Sequence, residues 1–94
     1  MNTIQQTNYQ MISEAKALNN TTPVKVIDSV NFEQEVYLHN EHGSAVYIGG
    51  SNVTTGTGYE LANNENVTMK IPQDNELYGI TGSGTGNLHI VRPD

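Results

Sequence analysis

Turn-forming residues interrupt this 94-residue chain at short intervals from Pro23 onward, which limits what it can fold into. The segments between the turns alternate apolar and polar residues. The clearest case is Val67, Met69 and Ile71 alternating with Thr68 and Lys70. An alternation of two puts successive side chains on opposite faces of a strand. Turns spaced about 8–12 residues apart are typical of an antiparallel sandwich or small barrel. The sequence therefore predicts an all-β fold, a small antiparallel β-sandwich or barrel of about seven short strands.

Seven segments carry this strand pattern: 24–32, 34–40, 45–48, 59–61, 67–71, 77–81 and 87–92. In the first, Val24, Val26, Val30 and Phe32 share one face and Ile27 lies on the other. In the second, Val36 and Leu38 face one way, and Tyr37 and His39 face the other. No helix alternates with these strands, which argues against a parallel sheet.

The first 22 residues differ from the rest, since they contain no glycine and are rich in Gln, Asn and Thr. Ile4, Met11, Ala15 and Leu18 fall near one helical face. We therefore divide the chain into an N-terminal arm, 1–22, extended or a short helix, and a β-domain, 23–94. Two alternatives stay open: an arm that orders when it docks on a partner, or a tail or helix on its own domain. The first alternative predicts that deleting residues 1–22 leaves the β-domain folded.

The composition excludes several classes of function. The formal net charge is −6, and Lys16, Lys25, Lys70 and Arg92 are too scattered to bind nucleic acid or an anionic membrane. The chain has no cysteine, so a disulfide framework is impossible. We see no signal-peptide pattern and no apolar run long enough for a membrane span.

A polar loop follows the strand that ends at Gly49-Gly50. It runs from Ser51 to Gly58, and its candidate contact residues are Asn52, Thr54, Thr55 and Thr57. Loops on a rigid scaffold often carry binding functions. Tyr47 and Tyr59 flank this loop, and an aromatic ring beside amides and hydroxyls suits a saccharide. A carbohydrate-binding or host-surface-binding module is therefore one hypothesis for this chain.

Five stretches resemble a module of tailed-bacteriophage structural proteins: 36–40, Val-Tyr-Ile-Gly-Gly-Ser with its Thr-rich loop at 46–55, 58–61, Leu-Tyr-Gly-Ile at 77–80, and 84–90. The resemblance covers about residues 24–92 and leaves out the arm. It implies a small, non-enzymatic virion protein that decorates or stabilises the capsid or forms a head-fibre base. A neck or tail position is also compatible.

The resemblance and the arm together suggest the partners. We expect a homo-oligomer, with a trimer favoured, that binds the major capsid protein or another virion protein. We expect it in the virion, after synthesis in the host cytoplasm. The candidate partner-binding residues are Ile4, Tyr9, Met11, Ile12, Leu18, Tyr47 and Tyr59. Tyr37, Tyr47, Tyr59 and Tyr78 all fall in predicted strands, and we expect most of them at the core or its rim.

No group of residues predicts catalysis, a metal or a cofactor. His39 and His42 lie near a turn and His89 is distant in sequence, so exposed or cross-strand histidines are expected. The glutamates lie beside turns or on polar faces, which predicts solvated carboxylates rather than a glycosidase pair: Glu33, Glu35, Glu41, Glu60, Glu65 and Glu76. The glycine-rich stretches at 49–50 and 82–86 lack a following helix, so they are predicted turns and not phosphate loops.

Overall fold

Eight β-strands build the molecule in a computed structural model that describes residues 11–41 and 43–93. The strands are β1 (Met11–Leu18), β2 (Val24–Ile27), β3 (Gln34–Asn40), β4 (Val46–Gly49), β5 (Tyr59–Leu61), β6 (Asn66–Ile71), β7 (Leu77–Thr81) and β8 (Gly86–Pro93). The described residues contain no helix. The all-β prediction is therefore confirmed, with eight strands in place of seven.

The strands form two four-stranded antiparallel sheets. Sheet I has the order β1-β8-β3-β6, and sheet II has the order β2-β7-β4-β5. Six of the seven connections pass from one sheet to the other, and only the β4–β5 hairpin stays within a sheet. Eight strands with this order and these pairs form the jelly roll, a double-sheet Greek-key architecture. Of the two predicted architectures, the molecule is the sandwich.

The core lies between the sheets and uses the inward positions of each strand. Twelve buried aliphatic side chains form one cluster, which includes Val36 and Leu38 of β3, Val46 of β4, and Leu88 and Ile90 of β8. The alternation predicted for β3 is confirmed, since Val36 and Leu38 are buried while Tyr37 is exposed and His39 is half-buried. The core is small, but it is continuous from one sheet to the other.

Residues 11–18 are a strand, so the helical alternative for this segment is wrong. All eight residues of β1 pair with β8, from Met11 opposite Pro93 to Leu18 opposite Gly86. Exposure along β1 alternates with a period of two, and Leu18 enters the core with 1% of its surface exposed. The helical spacing placed Met11 and Leu18 on one face, whereas the strand puts them on opposite faces. The division at residue 22 therefore separates β1 from the sheet in which it pairs.

Strand β2 is shorter than the predicted segment 24–32. Its pairing with β7 is irregular between Lys25 and Ile27, so Val26 and Ile27 are both buried although they are neighbours. Such a bulge adds a residue to one strand and breaks the alternation. The chain then leaves the sheet at Asp28 and does not reach Phe32 as a strand.

The buried side chain of Asn40 ties the two sheets together at one end of the sandwich. It is fully buried at the end of β3, and its Nδ2 donates to the carbonyl oxygens of Ser44 and of Leu61 in β5, each at 2.8 Å. Its backbone carbonyl accepts from the Asn64 amide at 2.7 Å. A single amide therefore joins sheet I, the β3–β4 turn and sheet II.

Candidate binding surface

The outward face of sheet I is a surface with two rows of side chains that cross all four strands. The register aligns Ser13, Val91, Tyr37 and Thr68 in one row, and Ala15, His89, His39 and Asn66 in the next. Residues that pair directly across antiparallel strands lie on the same face and touch. We call these eight residues the sheet I face.

The sheet I face carries a depression of about 600 Å³, within the usual size range of ligand sites. Its walls include seven of the eight side chains, all except Ala15. Tyr37, one of these seven, has 45% of its surface exposed. Of the described residues that line the depression, none is lysine or arginine.

Three titratable side chains meet at one end of this face. His39 and His89 are direct cross-strand partners, and the Glu41 carboxylate lies 3.4 Å from Nε2 of His39 and 3.1 Å from Nε2 of His89. The prediction of exposed or cross-strand histidines is confirmed for His39 and His89, although 50 positions separate the two in sequence. His42 lies outside the described residues. Within 11–41 and 43–93, no three His, Asp or Glu side chains are grouped so that they could hold a metal ion.

Strand β1 forms an edge of sheet I beside this face. It pairs with β8 on one side only. Met11, at its start, exposes 56% of its surface, and Ile12 is half-buried. Leu18 lies in the core, so its side chain is not on the surface where partner binding was expected. Ile4 and Tyr9 lie outside the described residues.

Two inward positions of β1 hold charged residues, Glu14 and Lys16, which are half-buried and lie outside the core cluster. The Glu14 carboxylate accepts a hydrogen bond from Nε of Arg92 on β8 and lies 3.4 Å from Nζ of Lys16. The hydrogen bond from Arg92, together with its positive charge, lowers the pKa of Glu14 below its usual value. The contact between Glu14 and Arg92 therefore links the edge strand β1 to its neighbour β8.

A second charged cluster lies on β2 and the turn before β7. Nζ of Lys25 is 3.0 Å from the Asp28 carboxylate and 3.5 Å from that of Glu76. The Asp28 contact raises the pKa of Lys25, and Lys25 in turn lowers the pKa of Asp28. Tyr78 donates its hydroxyl to Glu76 at 2.9 Å, which raises the pKa of that hydroxyl. These are surface pairs, and surface pairs contribute little to stability.

The Ser51–Gly58 loop is a compact turn anchored on the sandwich. Val53 is buried at 3% exposure, while Asn52, Thr54, Thr55 and Thr57 are exposed. The Thr54 carbonyl accepts from the amides of Thr57 and Gly58, and Oγ1 of Thr57 accepts from the Thr54 amide at 3.0 Å. Much of the hydrogen-bonding capacity of these threonines is therefore used inside the turn.

Tyr47 and Tyr59 do not form one platform beside this loop. Tyr47 pairs with Glu60, and Tyr59 pairs with Ile48, one position further along the hairpin. Since adjacent positions alternate between faces, the two rings lie on opposite faces of the β4–β5 hairpin. Tyr59 is 59% exposed and Tyr47 is half-buried.

Burial tests two further sequence predictions, those for the glutamates and for the strand tyrosines. The six glutamates named above are all exposed, as expected of solvated carboxylates. The four strand tyrosines are exposed or half-buried, so they lie around the core rather than in it. In the part of the chain that the structure describes, no helix is long and apolar enough to cross a membrane.

Neither a family model nor a curated protein sequence matches this chain. The sequence reading missed the sheet I face, because alternation places Tyr37 and His39 outward but does not reveal that β8 pairs beside them. The signal in the sequence that could have indicated this face was the alternation in β8, which places His89 and Val91 outward.

Proposed function

We propose that this protein is a non-enzymatic structural component of a tailed-bacteriophage virion, which decorates or stabilises the capsid or forms a head-fibre base. The resemblance across residues 24–92 supports the virion assignment. The jelly-roll topology agrees with it, because this architecture occurs in viral capsid and lectin domains. Since one fold serves many functions, the topology supports a class of role and not a specific partner.

The exposed edge of β1 is the observation that carries the docking proposal. An edge strand offers unpaired backbone groups to a strand of a partner, a recurrent mode of protein association. Outward side chains along this edge are small at Ser13, Ala15 and Ala17, so a partner strand can approach closely. Met11 supplies an apolar contact at the start of the edge. We propose that this edge and the preceding residues Ile4 and Tyr9 bind the major capsid protein or another virion protein.

We further propose that the protein acts as a homo-oligomer, with a trimer favoured. Repeated copies suit attachment to a symmetric particle, because each copy then meets an equivalent site. The exposed ring of Tyr59 on edge strand β5 is the second candidate contact. Light scattering of the purified protein tests this state directly. A single-chain mass at all concentrations would contradict the oligomer, although not docking itself.

The alternative of a saccharide site at the Ser51–Gly58 loop has less support. Tyr47 and Tyr59 lie on opposite faces of their hairpin, and the loop threonines bond to one another. The loop residues are still exposed, so a substitution there is a suitable control for one on β1.

Mass spectrometry of density-gradient-purified particles, from a culture that produces this chain, tests the proposal. The protein is expected in the particles at a copy number in fixed ratio to the capsid protein. The variant Met11→Asp is expected to fold but to be depleted from particles, whereas Thr55→Asp in the loop is expected to be retained. Absence of the unmodified chain from particles would contradict the virion assignment. If only Thr55→Asp is depleted from particles, the docking site is the Ser51–Gly58 loop and not β1.

A further inference from the structure

We infer that the depression on the sheet I face is a binding site for a neutral saccharide. The inference goes beyond virion attachment, since it concerns the outward face of sheet I and not the edge of β1. It is also a different site from the Ser51–Gly58 loop, which lies between β4 and β5 of the other sheet.

Tyr37 supplies the platform for a sugar ring. It occupies the middle of the sheet, between Val91 on β8 and Thr68 on β6, and almost half of its surface is exposed. An exposed aromatic ring and a neighbouring valine offer an apolar surface to the C–H face of a pyranose. Aromatic side chains combine large contact area with defined geometry, so a single ring can dominate such a site.

Polar groups surround this platform at distances set by the register. Thr68 and Ser13 bring hydroxyls in the same row, while His39, His89 and Asn66 bring imidazole and amide groups in the next row. Hydroxyl, amide and imidazole groups both donate and accept, which matches the mixed character of sugar hydroxyls. Sites that combine apolar walls with a few convergent polar groups are the usual form of a ligand pocket.

The charges of the depression select a neutral ligand. Its described lining contains no lysine or arginine to hold a phosphate, sulfate or carboxylate. Glu14 belongs to the described lining, but its side chain points to the inward face, where its carboxylate accepts from Arg92 and lies beside Lys16. The Glu41 carboxylate at the rim contacts both histidines. The described lining therefore offers no lysine or arginine to an anionic ligand, and a polyanion would meet a chain of net charge −6.

A glycan array probed with the purified full-length protein tests the site. Binding to neutral glycans is expected, and the glycan bound most strongly is then used in titration calorimetry. Tyr37→Ala is expected to weaken that binding by at least about tenfold. Tyr78→Ala is the matched control, because Tyr78 is a half-buried strand tyrosine of the other sheet and is expected to leave binding unchanged. Circular dichroism melts establish that both variants are folded.

Several outcomes would overturn the inference. These are no neutral glycan bound on the array, selective binding of anionic glycans only, or equal affinity in the wild type and Tyr37→Ala. Loss of binding in Thr55→Ala but not in Tyr37→Ala would assign the site to the loop. Self-association that Tyr37→Ala abolishes would make the sheet I face a contact between copies of the chain. Particle incorporation is measured separately, so a failed glycan test leaves the virion proposal to its own experiment.

Discussion

Single residues decide whether the two sheets stay joined, and Asn40 is the clearest case. A carboxylate cannot donate the two hydrogen bonds that Nδ2 gives to Ser44 and Leu61. We therefore expect Asn40→Asp, which keeps the shape, to lose about 2–4 kcal/mol of unfolding free energy at neutral pH. Urea denaturation of the wild type and the variant measures this loss of unfolding free energy. The loss should shrink in acid, where the protonated side chain regains one donor. An unchanged denaturation midpoint would show that the amide is not a link between the sheets.

Gly58 is a second residue whose replacement has a defined cost. A Cβ there would lie 2.7 Å from Cγ2 of Val53 and 2.8 Å from Cβ of Tyr47, closer than carbon atoms approach. We expect Gly58→Ala to destabilise the protein by about 1–3 kcal/mol, since the loop must move away from the hairpin. Gly56→Ala is the control, because the nearest atom to its added Cβ is Oγ1 of Thr54 at 3.8 Å. Equal thermal melts for the two variants would contradict this packing.

At the scale of an element, the pairing of β1 with β8 changes the expected effect of deleting the N-terminal residues. Deletion of residues 1–22 was expected to leave the β-domain folded. In the structure this deletion removes β1, one of the two strands that pair with β8, and takes Leu18 out of the core. Burial of one leucine is worth about 2–5 kcal/mol against alanine. We now expect deletion of 1–22 to abolish the cooperative thermal transition in circular dichroism, whereas deletion of 1–10 should preserve it. A folded 1–22 deletion would show that sheet I is stable without β1.

The Glu14–Arg92 pair makes the β1–β8 contact sensitive to acid. Because the folded-state pKa of Glu14 is lowered, its contribution is complete above the unfolded pKa, about 4.3. The contribution is lost as the pH falls through the lower folded value. Wild type should therefore lose up to about 1 kcal/mol more stability than Glu14→Gln between pH 5 and pH 3. Denaturation midpoints against pH measure this. Equal losses of stability in wild type and Glu14→Gln over this range would contradict a stabilising Glu14–Arg92 pair.

Strands enclosed by clear turn signals were predictable from sequence, and the others were not. Strands β3, β5 and β7 appear with the predicted bounds, since turn residues precede and follow each of them, and in β3 the buried and more exposed residues also alternate. Strand β1 was missed because Glu14 and Lys16 occupy its inward positions, which removes the apolar alternation. The end of β2 was misplaced because a bulge puts two successive residues in the core. In both cases the missing information was tertiary.

At the scale of the whole molecule, the sequence predicted the class but not the topology. The order β1-β8-β3-β6 joins strands from opposite ends of the chain, and turn signals carry no information about such pairs. For the same reason His39 and His89 were not expected to share the Glu41 carboxylate. The sheet I face could be recognised only after β8 was placed between β1 and β3.

The same topology predicts slow folding. Every pair in sheet I apart from β3–β6 joins strands more than 40 residues apart in sequence, so long loops must close before the contacts form. Folding rates of such sandwiches lie in the range of milliseconds to seconds. We expect stopped-flow refolding from urea to show a main phase in that range. A main phase in microseconds would contradict the non-local pairing of β1 with β8.

The pairing of the first strand with the last has a consequence in time as well as in space. On the ribosome, about 70 residues separate the synthesis of Leu18 from that of its partner Gly86. At the usual pace of translation this is an interval of roughly 3–14 s. During this interval β1 has no β8 to pair with, and an apolar segment in its place could associate with a neighbouring nascent chain. The charges of Glu14 and Lys16 disfavour the association of β1 with another nascent chain. The same two charged residues, which break the apolar alternation of β1, therefore also limit its aggregation before β8 is synthesised.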